Sequence, residues 1–343
     1  MVNALFTPLL AGSSIEFLYP FSADSVWKRL AAPFSEDRPA NQKAITFFTA
    51  VPTIWTRLLD AHSDLDEPIR TASREAISPQ NLRLNISGSA ALPTPTKKAW
   101  SELSGGNILL ERYGMTEVGM ALSCGLDNAD RVDGSVGWPL PFVQARLVDT
   151  DSGVVIATGE ESDSNGKPRD GEIQLRGPTV FKEYWRNPKA TSEGFVEGND
   201  GKGKWFKTGD IAMRQDFQGA GKSDQDWAKG PLYFIKGRAS ADIIKTGGEK
   251  VSALEIEREL LALPQIAEAT VVGVPSEKWG QKVTAVCVLK KGEELSPLNM
   301  RRALKERLVG YKVPQALKVV ESIPRNAMGK SECFETLQIL VTD

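Results

Sequence analysis

Cysteine and histidine are nearly missing from this chain. Three cysteines, Cys124, Cys287 and Cys333, are scattered over 343 residues. None sits at a metal-ligand spacing, which argues against a disulfide framework and suits a reducing compartment. The one histidine is His62, so His-ligated metal centres and Ser-His-Asp triads lack their parts. Neither sign of charge dominates: 42 Lys plus Arg face 44 Asp plus Glu, for a net charge of −2. That balance gives no reason to expect nucleic acid or an anionic membrane as partner. No apolar run approaches the ~20 residues of a membrane-spanning helix. The start, Met1-Val2-Asn3-Ala4-Leu5-Phe6, carries neither the basic region nor the cleavage site of a signal peptide. Internal repeats and low-complexity tracts are also lacking.

The rest is the profile of a globular protein of two or three domains, with 41% hydrophobic and 25% charged residues. The expected fold class is α/β. Residues 1–146 alternate apolar runs with helix-like stretches. Strands are predicted at 46–48, 82–86 and 108–110, with helices at 53–60 and 95–103 between them. Strand, helix, strand at this spacing predicts a parallel sheet with crossover helices. Residues 147–237 read as a β-rich part, with short alternating runs at 143–148, 172–176 and 232–235 between Gly-rich turns, the mark of antiparallel pairing. Two polar stretches, 158–170 and 215–230, read as solvated loops without function.

Gly237-Arg238-Ala239-Ser240 reads as a linker, with residues 238–240 as a hinge. From 241 to 343 the pattern is a small α+β unit. Ser252-Ala253-Leu254-Glu255 is a capping box opening a helix. Strands are predicted at 268–274, 283–289 and 316–320, and Ser296-Pro297 opens another helix with Ser as N-cap.

The densest chemistry lies in Glu111-Arg112-Tyr113-Gly114-Met115-Thr116-Glu117, directly after the apolar run 107–110. In open α/β sheets ligands bind outside the carboxyl ends of strands. Tyr113 offers a flat face for a base, Gly114 permits close backbone approach, Thr116 can donate to a phosphate oxygen, and Glu117 can hold a hard cation such as Mg²⁺. A polar loop after a core strand is the plainer alternative.

Three further strings follow in the chain: Trp205-Phe206-Lys207-Thr208-Gly209-Asp210; Gly237-Arg238 with Asp242-Ile243-Ile244-Lys245-Thr246-Gly247-Gly248; and Pro324-Arg325-Asn326-Ala327-Met328-Gly329-Lys330. Together, and in this order, the four resemble the motifs of the adenylate-forming (AMP-binding) acyl-CoA synthetase superfamily, with the strongest likeness to malonyl-CoA synthetases of the acyl-CoA synthetase family member 3 type. The resemblance implies a truncated large domain followed by a mobile C-terminal domain. It implies small-molecule substrates (ATP, a carboxylic acid and CoA), with Mg²⁺, and a two-step reaction through an acyl-adenylate. It also implies a larger N-terminal portion carrying a Ser/Thr/Gly-rich phosphate loop, which would lie ahead of Met1. The full-length relatives would be mitochondrial or cytoplasmic. The alternative is a catalytically incompetent paralogue or gene-model fragment that retains weak AMP or adenylate binding.

By the same resemblance Lys330, Thr116 and Glu117 are the catalytic candidates, Glu117 also serving as metal ligand. Ser89, Ala90, Glu111, Tyr113, Gly114, Met115, Thr116, Asp210 and Arg238 would bind the nucleotide. Lys245, Thr246, Gly247 and Gly248 would form the loop used in the CoA step. Ser87 and Gly88 would line the acyl pocket. Substrate choice rests on Arg57 and Arg112, since the second carboxylate of a malonate needs a fixed cation when buried. The competing roles are an exposed helix residue for Arg57, and pairing with Glu111 or another acid for Arg112.

Overall fold

The computed structural model describes residues 2–37 and 41–324; the Lys330 loop named above lies outside the described residues. The helices are α1 (Thr7–Leu10), α2 (Ala23–Ala31), α3 (Pro52–His62), α4 (Glu67–Ile77), α5 (Thr94–Leu103), α6 (Pro188–Gly194), α7 (Ala253–Leu261) and α8 (Pro297–Lys305). The first sheet has the order β1 (Phe47–Ala50), β2 (Leu84–Ser87), β3 (Leu110–Met115), β4 (Gly119–Ser123), β5 (Trp138–Pro139). Its β1–β2 and β2–β3 pairs are parallel, as expected from the crossover helices. Then β3 turns back on itself into β4 and the pairing becomes antiparallel. The strand expected at 108–110 begins only at Leu110, its last residue, and runs through the motif to Met115.

Three tryptophans fill the core against this sheet. Trp27, Trp55 and Trp100 are fully buried, with Trp55 packed edge-on to Trp100 at 4.7 Å between centroids. An indole carries a polar N–H that must be satisfied once buried. Trp27 Nε1 donates to the Leu58 carbonyl at 2.8 Å, and Trp55 Nε1 to that of Ala50 at 3.2 Å. The buried Asn107 side chain donates to the carbonyls of Ile77 and Leu82, tying the end of α4 to the approach of β2.

The second sheet is antiparallel in its β6–β7 and β9–β10 pairs. Its order is β11 (Leu232–Arg238), β10 (Trp205–Gln215), β8 (Gly171–Arg176), β6 (Gln144–Val148), β7 (Val155–Ile156), with β9 (Phe195–Val196) on β10. The third has the order β13 (Glu249–Ser252), β12 (Ile243–Thr246), β15 (Gly280–Leu289), β14 (Ile266–Ser276), with β16 (Ala316–Val319) parallel to β15. Helices α7 and α8 cover its apolar core of Ile256, Leu260, Val283, Met300 and Leu304. Both helices are capped as the sequence predicts: Ser252 accepts from Glu255 N and Ser296 from Asn299 N. Only half of the expected capping box forms, because the Glu255 carboxylate pairs with Lys312 and Lys236 instead of reaching back.

By packing, the chain groups into two units. One comprises the chain up to Arg146 with Gln174–Lys207 and Arg214–Phe234; the other comprises Leu147–Ile173, Thr208–Met213 and the chain from Ile235 onward. Residues 147–173 thus pack with the C-terminal segment, whereas the texture of the sequence groups them with the front.

Candidate active site

The first unit carries the motif 111–117 on a tight hairpin. Register pairs Met115 with Gly119 across it, and Val118 N closes the turn on the Met115 carbonyl. Gly114 is required here for packing: a Cβ at that position would lie 2.1 Å from the Gly119 carbonyl oxygen. Its close approach is to the chain's own backbone, which is what allows the turn to present Thr116 and Glu117 at its tip. Thr116 is exposed and Glu117 half-buried. Beside β3, the end of β2 brings Ser87 opposite Glu111. The Gly88 backbone lies against the Arg112 carbonyl. Ser87 Oγ is buried, with no hydrogen-bond partner among the described residues. Ser89 follows at φ 70°, a strained backbone for a residue with a side chain, ahead of exposed Ala90. The sheet therefore sets residues 87 and 88 beside residues 111 and 112.

Glu111 and Arg112 separate sharply in environment. Glu111 points into the interior, where Lys97 Nζ meets its Oε1 at 2.8 Å and both side chains are 7% exposed. Arg112, the next residue, faces the other side of the strand. Its Nε donates to Ser123 Oγ at 3.1 Å, and it forms no ion pair with any acid among the described residues. Burial lowers its pKa, with only a weak opposing influence from Cys124. The guanidinium is thus half-buried, with no hydrogen bond from its terminal nitrogens among the described residues. Tyr113, half-buried, pairs with Leu122 across the hairpin. Arg57 is exposed on α3, with no hydrogen bond or ion pair among the described residues. Neighbouring Thr56 links α3 to α5 through Thr96 at 3.2 Å.

One contact at this hairpin has no counterpart in the sequence reading. Tyr184 Oη donates to Glu117 Oε1 at 3.0 Å, across 67 residues of chain. No local spacing could have revealed it, because the two residues lie in separate elements.

The second unit holds Thr208-Gly209-Asp210 and the motif that begins at Gly237-Arg238. Asp210 on β10 and Arg238 at the end of β11 form an ion pair, Nε to Oδ1 3.0 Å. Arg238 also donates to the Thr208 carbonyl, and its backbone N–H to Asp242 Oδ2. Asp210 N is held by Thr208 Oγ1. Arg238 is thus paired with another of the residues expected at the nucleotide. Thr246 pairs with Glu249 and Lys245 with Lys250, so Gly247 and Gly248 are the two-residue turn of the β12–β13 hairpin, both at positive φ as such turns demand. Thr246 is buried and Lys245 exposed. The Gly247 N–H donates to the Trp279 carbonyl, and a Cβ there would press on the Trp279 ring at 3.2 Å.

The same unit contains a cavity of about 430 Å³ that the sequence did not foretell, lined in part by the polar stretch 158–170. Four of the five lysines that line it are paired locally: Lys250 with Asp151, Lys167 with Glu249, and Lys236 and Lys312 with Glu255.

A hairpin of hydroxyl and carboxylate where a mixed sheet turns from parallel to antiparallel, and an acid–arginine pair before a small α+β unit, define the class. The chain belongs to the AMP-binding enzyme family, whose model matches residues 2–185; the AMP-binding enzyme C-terminal domain matches residues 255–330. Among relatives, a CoA ligase of Gibberella moniliformis is 61% identical over 96% of this chain and 58% of its own length. The mitochondrial malonate–CoA ligase ACSF3 of Homo sapiens is 42% identical over 96% of this chain and 54% of its own. Among solved structures, ATP-bound MatB from Rhodopseudomonas palustris superposes with a TM-score of 0.75 at 34% identity, over 98% of this chain and 57% of that one. The chain thus spans about half the length of the curated relatives it matches. No helix among the described residues is long and apolar enough to cross a membrane.

Proposed function

We propose that the chain is the greater part of the working site of an ATP-dependent, AMP-forming acid–thiol ligase that takes malonate or a similar short dicarboxylate. The observation that carries this reading is Arg112, a half-buried guanidinium beside the motif hairpin with no acid partner among the described residues. Leaving such a cation unpaired is costly, and a carboxylate that accepts two of its N–H groups offsets that cost. A monocarboxylic acid has only the carboxylate that reacts; a malonate has a second one to give. Arg57, exposed and uncommitted, is the second cation proposed for it.

In the reaction, one carboxylate attacks the α-phosphorus of ATP, giving acyl-adenylate and pyrophosphate; the CoA thiol then displaces AMP. Negative charge builds on the phosphate oxygens, so donors and cations must already be in place. Thr116 would donate to those oxygens from the hairpin tip. Asp210 would accept the ribose hydroxyls while Arg238 holds its carboxylate in position. Lys330 is proposed as the ammonium that meets both the substrate carboxylate and the α-phosphate, and the residues 245–248 as the loop used in the CoA step. Glu117 fits Mg²⁺ as a lone carboxylate. Among the described residues no group of three or more His, Cys, Asp or Glu could hold a metal unaided, and Mg²⁺ commonly uses one or two carboxylates together with substrate phosphates. Bound there, it would neutralise charge on the phosphates.

The second reading is nucleotide binding without turnover. AMP release decides between them. Chain incubated with ATP, Mg²⁺, CoA and malonate should release AMP and form malonyl-CoA. ATP binding with no AMP release would establish the second reading.

A further inference from the structure

We infer that Tyr184 is a positioning residue for the Glu117 carboxylate, and so sets the affinity of the site for its divalent cation. This rests on the assignment of Glu117 as metal ligand. The structure supplies the geometry: Tyr184 Oη donates to Glu117 Oε1 at 3.0 Å. The same segment grips the turn at a second point, where Phe181 N–H donates to the Glu117 carbonyl at 2.7 Å. Both ends of Glu117, backbone and side chain, are therefore held by residues 181–184.

That segment is itself anchored. The Tyr184 N–H donates to Thr191 Oγ1 at 3.0 Å, and Thr191 Oγ1 in turn donates to the Asn187 carbonyl. Asn187 caps α6 through Ala190 N. Phe181 packs edge-on against the Tyr184 ring at 4.7 Å, and against Phe206 at 5.2 Å. The phenol is thus presented from a cluster whose rings cannot rotate independently.

The consequence is chemical. A carboxylate at a hairpin tip has two free torsions beyond Cβ, and binding a cation must freeze them. A donor on one oxygen freezes them beforehand and leaves the second oxygen to face the ligand. Partners of this kind typically change metal affinity about 10- to 100-fold when removed. Phe at position 184 keeps the ring packing and removes only the donor.

The experiment compares the wild-type chain, Tyr184→Phe and Glu117→Gln. Two readouts are taken: ATP binding by calorimetry in EDTA and across a Mg²⁺ titration, and the Mg²⁺ concentration giving half-maximal AMP release. Tyr184→Phe should shift the Mg²⁺ midpoint upward about ten-fold or more, with ATP affinity in EDTA and melting temperature unchanged. Glu117→Gln should remove the Mg²⁺ dependence of ATP binding. If Glu117→Gln does so while Tyr184→Phe keeps the wild-type midpoint, Tyr184 is only packing and the inference is overturned. If Glu117→Gln keeps the wild-type Mg²⁺ dependence, or the wild type itself shows none, the assignment of Glu117 as ligand fails and the role of Tyr184 falls with it.

Discussion

Replacing Lys97 by Met tests how the strand bearing the motif is held. Lys97 on α5 and Glu111 on β3 lie 2.8 Å apart, each side chain 7% exposed. Lys97 Nζ also donates to the Val132 carbonyl at 3.3 Å. At that separation and an effective dielectric of about 20, their attraction is on the order of 6 kcal/mol before desolvation is subtracted. Met matches the length of the lysine stem but leaves the Glu111 carboxylate buried without its cation. Breaking a buried pair from one side typically costs about 3–5 kcal/mol, whereas replacing both partners by apolar groups is often neutral. Lys97→Met should therefore lower unfolding stability in urea by about 3–5 kcal/mol, and Lys97→Met with Glu111→Leu should recover most of it. A loss below about 1 kcal/mol for the single variant would refute the claim that this pair anchors β3. So would a double variant as unstable as the single one.

Two further outcomes follow from the same elements. Gly114→Ala places a methyl 2.1 Å from the Gly119 carbonyl oxygen, so the hairpin must shift; the cost is about 1–3 kcal/mol in urea unfolding, and an unchanged midpoint would mean that the turn is not as tight as described. His62 is buried, bonded to Ser73 Oγ at 3.0 Å, and burial lowers its pKa below the ordinary 6.5. The unfolded chain then takes up the proton first. The stability that neutral His62 supports is full above about pH 6.5 and declines as pH falls below it. His62→Gln should flatten that part of the melting-temperature profile, and an unaltered acid slope would assign it to other groups.

Legibility in the sequence tracked the range of the interaction. Helix caps at Ser252 and Ser296 depend on neighbours within a few residues, and the crossover order of β1 to β3 was legible from the alternation of strand and helix. The four motifs survived as strings because their chemistry is concentrated locally. What could not be read was pairing over distance. Arg238 takes Asp210 as its partner, Glu111 takes Lys97, and Glu117 takes Tyr184. Each of these was a competition among several acids and donors of similar local appearance, and only packing decided it. The strand ending at 110 was misjudged for a related reason. Residues 111–115 carry polar side chains that look like a loop, but β4 supplies their backbone with hydrogen-bond partners from across the hairpin.

The central claim is that the Arg112 guanidinium is kept uncommitted for a second carboxylate. The measurement that addresses it most directly is the ratio of kcat/KM for malonate to that for acetate, in the wild-type chain and in Arg112→Met. A hydrogen-bonded charge is typically worth about 1.5–3 kcal/mol, so the variant should lose malonate activity roughly 10- to 100-fold while acetate activity changes little. Equal losses on the two acids, or a wild-type chain that does not favour malonate, would contradict the account.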